Sequence, residues 1–246
     1  MIVAEIGLNH LGDSNLLNSY FEYIRDSEVD AVTVQVLKES FFDDLRYRKY
    51  RLEDEKLIDF LKKVKCAGKK IGIAIDDIDK IGKFEALKVD FYKVLSKDML
   101  NVDLITELFY STVKYIYVST GMNTYQEIDD LISKFNSDDG RLRLIHTQLS
   151  HEISDVNMRA IGVMQEKYDL PIAYGHHCKI IDVIYTSLGF DPESIFFYVK
   201  GFMDLEYPDD LHAIKVDRVG KIASKIKLFQ QSIGSGMKIK VKNWTS

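Results

Sequence analysis

Cysteine is nearly absent from this chain: Cys66 and Cys178 are the only two in 246 residues. Thiols so far apart form neither a disulfide framework nor a zinc-ligand spacing. With three prolines and no Gly/Ser/Pro-rich stretch, no linker divides the sequence. No apolar run approaches the roughly 18 residues of a membrane-spanning helix. The opening Met1-Ile2-Val3-Ala4-Glu5 lacks the charged n-region of a secretory signal. The expectation is a cytoplasmic protein with no membrane partner. A basic excess is missing too. Lys and Arg number 33 against 38 Asp and Glu, a net charge of −5, which argues against a nucleic-acid partner. The alternating Lys238, Lys240 and Lys242 read as a solvated strand or tail rather than a binding patch.

What is present is ordinary globular composition, 46% hydrophobic and 29% charged. At about 150 residues per domain the length gives roughly 1.6 domains, and it also suits one closed α/β barrel. Short apolar runs alternate with amphipathic stretches. Strands are expected over Ile2–Ile6, Ala31–Gln35, Lys70–Ile75, Phe91–Leu95, Tyr115–Val118, Leu142–His146, Pro171–Tyr174 and Ser194–Val199. Helices are expected over Leu16–Ser27, Leu52–Cys66, Ile78–Leu87, Val102–Tyr110, Tyr125–Phe135, Val156–Tyr168, Ile180–Leu188 and Val216–Ile233. Unbroken apolar strands suit a parallel sheet buried on both faces. Eight βα units in this length predict a single-domain (β/α)8 TIM barrel over residues 1–233. Residues 234–246 are left as a tail or short extra strand.

Active sites of such barrels lie at the C-terminal ends of the strands, and polar residues collect there in this sequence. Glu5, Gly7, Asn9 and His10 follow strand one, and Gln35 ends strand two. Asp76-Asp77 follow strand three. Strand four contains Lys93 and leads into Ser96. Ser119-Thr120-Gly121 end strand five, His146 and Gln148 strand six, Gly175-His176-His177 strand seven, and Lys200 strand eight. Glu5 inside an apolar strand is costly to bury unpaired; it either pairs with a barrel lysine such as Lys93 or serves the chemistry. Lys93 between Tyr92 and Val94 calls for a buried anion. Ser119-Thr120-Gly121 offers hydroxyls and backbone N–H groups to a phosphate or carboxylate, though the triplet also makes an ordinary turn. Two adjacent histidines on a turn suggest a metal ligand, with at most one of them on a given ion because adjacent side chains diverge. Asp76-Asp77 reads as a helix-start acidic cluster.

Five segments resemble, in order, the motifs of the sialic acid synthase family, the N-acetylneuraminate synthase-like enzymes that include legionaminic and pseudaminic acid synthases and spore-coat relatives. They are Val3-Ala4-Glu5-Ile6-Gly7-Leu8-Asn9-His10-Leu11-Gly12-Asp13, Val89-Asp90-Phe91-Tyr92-Lys93-Val94-Leu95-Ser96, Val118-Ser119-Thr120-Gly121-Met122-Asn123-Thr124 with Glu127-Ile128, Asp155-Val156-Asn157-Met158-Arg159-Ala160-Ile161, and Leu170-Pro171-Ile172-Ala173-Tyr174-Gly175-His176-His177. The resemblance implies condensation of phosphoenolpyruvate with a sugar aldehyde, an aldose, to give a sialic-acid-like keto acid and phosphate. It also implies a divalent metal, manganese or magnesium, as Lewis acid, and a homodimer. Lys93, Ser96 and Ser119 match phosphoenolpyruvate contacts. Glu5 and Gln35 match polar groups near the aldehyde. Asn9, Gly121, Lys200 and Asp209 (or Asp210) are expected to bind substrate, and His177, with His176 beside it, the metal.

Departures from the pattern are equally specific. Thr33 stands where the family carries a lysine. Ala74-Ile75-Asp76-Asp77 replaces a threonine-containing motif and places two carboxylates near an anion site, which should repel the anion. Gly175 replaces a serine. Val199-Lys200-Gly201 replaces a Glu-Lys-His run, so the second metal histidine is expected to be lost, and the loop His146-Thr147-Gln148-Leu149-Ser150 diverges. A C-terminal antifreeze-like domain is not expected here, so sugar recognition should differ. Two alternatives to a working synthase stay open. One is a degenerate barrel that binds a sugar acid or partner protein. The other is a lyase using Lys93 or Lys200 as a Schiff base.

Overall fold

The computed structural model describes residues 1–135 and 140–238. Its strands are β1 (Ile2–Glu5), β2 (Ala31–Val36), β3 (Lys70–Ile75), β4 (Phe91–Val94), β5 (Tyr115–Ser119), β6 (Leu142–His146), β7 (Ile172–His176), β8 (Ile195–Lys200) and a short β9 (Ile214–Lys215). The first eight are parallel in sequence order, and β1 also pairs with β8, which closes the barrel. The helices are α1 (Ser14–Ile24), α2 (Asp54–Cys66), α3 (Ile81–Glu85), α4 (Val102–Ser111), α5 (Tyr125–Phe135), α6 (Arg159–Lys167), α7 (Val183–Ser187) and α8 (Val216–Ile233). This is the expected (β/α)8 barrel. The tail from Ile239 onward, with Lys240 and Lys242, lies outside the described residues.

The differences from the sequence expectation are local. The helices expected over Ile78–Leu87 and Ile180–Leu188 are shorter and flanked by 3-10 turns. β7 begins after Pro171 and runs on to His176 instead of stopping at Tyr174. β9 was not expected. It lies parallel to β8, pairing Val199 with Ile214 and Lys200 with Lys215, and so fixes both ends of the intervening loop, residues 201–213.

Two cores follow from the period of two along each strand. Outward-facing residues such as Ala4, Val32, Tyr92, Val118 and Phe197 pack under the helices. Val3, Ala31, Phe91, Tyr117, Ile145, Ala173 and Phe196 face inward and fill the lower barrel. Phe91 fits because Gly72 on the neighbouring strand has no side chain. A Cβ there would stand 2.3 Å from the Phe91 ring.

Candidate active site

Two residues further along five of the eight strands, the inward positions turn polar. Val3 gives way to Glu5, Ala31 to Thr33, Phe91 to Lys93, Tyr117 to Ser119, and Phe196 to Tyr198. All five are at most 5% exposed. The same alternation carries the next inward positions to Gln35, His177 and Lys200, so the strands deliver the expected residues to one end of one barrel.

The centre of this layer is a buried ion pair between the Lys93 ammonium and the Glu5 carboxylate. Lys93 also lies 5.4 Å from the Phe196 ring centroid and 5.6 Å from that of Tyr198. Thr33 Oγ1, in the place of the family lysine, lies 3.5 Å from Glu5 Oε1. Of the two readings of Glu5, the structure displays the pairing with a barrel lysine.

On the β4–β5 side, the Gly121 N–H donates to Ser96 Oγ at 3.1 Å. Ser119 Oγ is buried with no hydrogen-bond partner. Gly121 needs its missing side chain, since a Cβ would stand 2.8 Å from Thr147 Cγ2 and 3.0 Å from Ser96 Oγ. Gly175 leaves room in the same way. Its Cβ would meet Ile145 Cγ2 at 3.0 Å and Thr147 Cβ at 3.1 Å, so Thr147, which follows β6, packs against the backbone of β7.

Asp76 and Asp77 do not form the repulsive pair expected near an anion. Asp76 accepts from the Lys38 N–H and from Lys97 Nζ, both at 2.8 Å. Asp77 caps its own turn through the Asp79 N–H.

His176 and His177 separate because β7 extends through them. His176 occupies the outer face of the strand, fully buried, with Nδ1 at 3.1 Å from the Tyr174 hydroxyl. Burial lowers its pKa to about 4. The structure therefore does not bring it to the barrel mouth, and it cannot share an ion with His177 as expected. His177 does face inward, with Nδ1 2.7 Å from Thr147 Oγ1.

Other expected substrate contacts have structural partners. Asn9 is fully buried and clips three segments. Its Nδ2 donates to Val199 O at 2.8 Å, its Oδ1 accepts from the Asp209 N–H at 3.2 Å, and its carbonyl accepts from the Tyr20 hydroxyl at 2.8 Å. Asn9 therefore positions Asp209 rather than offering a free amide to a ligand. Lys200 Nζ is tied to the Asp210 carboxylate and carbonyl, each at 2.6 Å. Gln35 Nε2 donates to the Tyr198 hydroxyl at 3.1 Å.

Three site residues escaped the sequence reading: Tyr198, His212 and the role of Thr147. Tyr198 has the inward parity of Phe196 and Lys200, a signal that was available. Its phenol is held well above its ordinary pKa by burial, then by the negative charges of Glu5 and Asp209. The positive φ of Gly7 (57°) turns the chain after β1 beside it. A Cβ at Gly7 would stand 2.7 Å from the Tyr198 ring and 3.1 Å from Asp209 Oδ2. His212 arrives from the β8–β9 loop, where no periodicity announces it. It stacks on His151 (5.0 Å, 15°), lies 4.6 Å from His177 at 42°, and meets Tyr198 edge-on at 5.2 Å. Asp209, three residues earlier, has its carboxyl pushed up to about 7 by burial and by Glu5, partly offset by Lys93.

Among the described residues no three His, Cys, Asp or Glu side chains converge closely enough to hold an ion. The residues present do not form the expected metal centre.

The NeuB family model matches residues 35–238. The chain belongs to the NeuB family. It is 22% identical to the N,N'-diacetyllegionaminic acid synthase of Campylobacter jejuni over 97% of this chain and 78% of that one. It is 24% identical to the enzyme of the same name from Legionella pneumophila over 96% and 74%. The crystal structure of N-acetylneuraminic acid synthetase from Leptospira borgpetersenii superposes with a TM-score of 0.90 at 21% identity, covering 98% of this chain and 87% of that one. At that identity the superposition establishes the fold alone. As a member of the NeuB family, the chain shares its fold with synthases of sialic-acid-like sugars. Among the described residues no helix is long and apolar enough to cross a membrane.

Proposed function

We propose that this NeuB-family barrel is a cytoplasmic enzyme that condenses phosphoenolpyruvate with a sugar aldehyde to give a sialic-acid-like keto acid and phosphate. The observation that carries the reading is the upper layer itself. The Lys93 ammonium, the orphaned Ser119 hydroxyl, Ser96 Oγ and the Gly121 N–H lie on neighbouring strand ends, a set suited to a phosphate or carboxylate. A buried hydroxyl without a partner is costly, and an anion oxygen removes that cost.

The chemistry asked of these groups is mostly positioning and charge stabilisation. C3 of the enol attacks the aldehyde carbon, and the new alkoxide takes a proton. Water adds to the oxocarbenium carbon C2 and loses a proton. The resulting hemiketal phosphate breaks its C–O bond, giving the ketone and inorganic phosphate. Asp209, with a pKa near 7, is the group able both to give and to take a proton at neutral pH. Lys93 exchanges Glu5 for the substrate anion, which frees Glu5 to accept the proton of the attacking water. Family likeness implies a homodimer; sedimentation of the purified chain tests that separately.

A second reading is favoured by the same ion pair. With Lys93 already neutralised, the barrel would keep a sugar-acid pocket without turnover. The Schiff-base alternative is disfavoured, because Lys93 and Lys200 are both engaged by carboxylates rather than standing as free amines.

Calorimetric titration of phosphoenolpyruvate decides among these. One-to-one binding weakened at least tenfold in Lys93→Ala, followed by phosphate release with a panel of aldoses, supports the synthase. Binding of a sugar acid without phosphate release supports the second reading. No binding of phosphoenolpyruvate removes the first.

A further inference from the structure

His212 presents an unusual problem. Its ring is 5% exposed, and both nitrogens are buried without a hydrogen-bond partner. The nearest acid, Asp209 Oδ1, is 3.8 Å from Nε2, beyond hydrogen-bond reach. A buried imidazole must find a donor and an acceptor, or it lowers stability. Two orphan nitrogens at the mouth of a barrel therefore point to a ligand.

The surroundings say which kind. A cation is disfavoured by how the rings meet. His151 and His212 stack at 15° with centroids 5.0 Å apart, and His177 lies 4.6 Å from His212, tilted at 42°. Two histidines on one ion must aim ring edges at a common point about 2.1 Å from each, which a stacked pair does not do. Among the described residues no group of three His, Cys, Asp or Glu side chains could hold an ion. A neutral imidazole has one N–H to donate and one lone pair to accept, which matches a sugar hydroxyl or carbonyl.

We infer that His212 binds an oxygen of the sugar at this barrel mouth, and that no divalent metal resides there. The assignment to the sugar rests on the function proposed above; the statement about metal does not.

The test has two arms. In the first, manganese(II) is titrated into the whole protein and free ion is followed by electron paramagnetic resonance. The expected result is no one-to-one uptake, or uptake unchanged in His177→Ala, which marks a site elsewhere. Stoichiometric uptake lost in His177→Ala or in His212→Ala overturns the inference. In the second, N-acetylneuraminic acid and N,N'-diacetyllegionaminic acid are titrated in the presence of a chelator. At least one acid should bind, at least tenfold more weakly in His212→Ala, with partial recovery in His212→Gln. Phosphoenolpyruvate affinity should be unchanged in both variants, which also reports an intact barrel. Equal affinity in wild type and His212→Ala, or no binding of either acid while phosphoenolpyruvate binds, overturns the role of His212. Failure of phosphoenolpyruvate to bind wild type defeats the synthase reading and its sugar assignment, and leaves the metal statement to the first arm.

Discussion

The lower and upper layers of the barrel interior are built on the same strands, two residues apart, yet they obey different rules. Below, Val3, Ala31, Phe91, Tyr117, Ile145, Ala173 and Phe196 interlock as an apolar plug. Above, Glu5, Thr33, Lys93, Ser119 and Tyr198 are just as buried but polar. The plug gains stability from area removed from water. The upper layer gains little by itself, because desolvating an ion pair offsets much of its attraction. Stability is concentrated in one layer and chemistry in the other, and substitutions can separate them.

The largest expected effect lies in the plug. Phe91→Ala should cost about 3–5 kcal/mol, seen as a large fall in denaturation midpoint. A loss under about 1 kcal/mol would mean the cavity collapses and the layers are less distinct than they look. Next is the ion pair. Lys93→Met leaves Glu5 charged and alone, at about 3–5 kcal/mol. Adding Glu5→Gln should restore most of that stability without restoring anion binding. If the double variant remains as unstable as the single one, the pair is structural and belongs with the plug.

Smaller is the loss in Asn9→Ala, about 1–3 kcal/mol from unsatisfied buried partners. Ligand affinity should fall with it as Asp209 loses its clip. Smallest are the pH effects. The carboxyl of Asp209 has a folded-state pKa raised to about 7, so its contribution to stability is full below its unfolded pKa near 4 and is lost as pH rises toward 7. Asp209→Asn should flatten denaturation midpoints across that window. His176, lowered to about 4, has the opposite sign: its contribution is present above about 6.5 and lost as pH falls toward 4. His176→Phe should reduce acid sensitivity while leaving ligand binding unchanged. Weakened binding in that variant would return His176 to the site.

Much of this was legible in the sequence because strands alternate. Glu5, Gln35, Lys93 and Ser119 could be placed at one end of the barrel from apolar runs and βα order alone. The histidines show where such reading stops. Ending β7 at Tyr174 put His176 and His177 on a turn, where neither has a defined side. Extending the strand by two residues assigns one to each face. His212 lies in a loop between Lys200 and Ile214, where the backbone has no period, and only folding brings it against His177. The partners of Asn9 were equally hidden, because its side chain bonds Val199 and Asp209, which lie 190 and 200 residues away in sequence.

The pairing of β9 with β8 sets the two ends of the 201–213 loop side by side on a rigid frame. That segment behaves as a cartridge seated in the barrel, with Asp209 clipped to Asn9 and His212 just before β9. Away from these anchors its sequence can be exchanged without disturbing the strands beneath. A lineage could thus change the sugar it accepts by rewriting a dozen or so residues while the remainder of the chain stays under its own, older constraints.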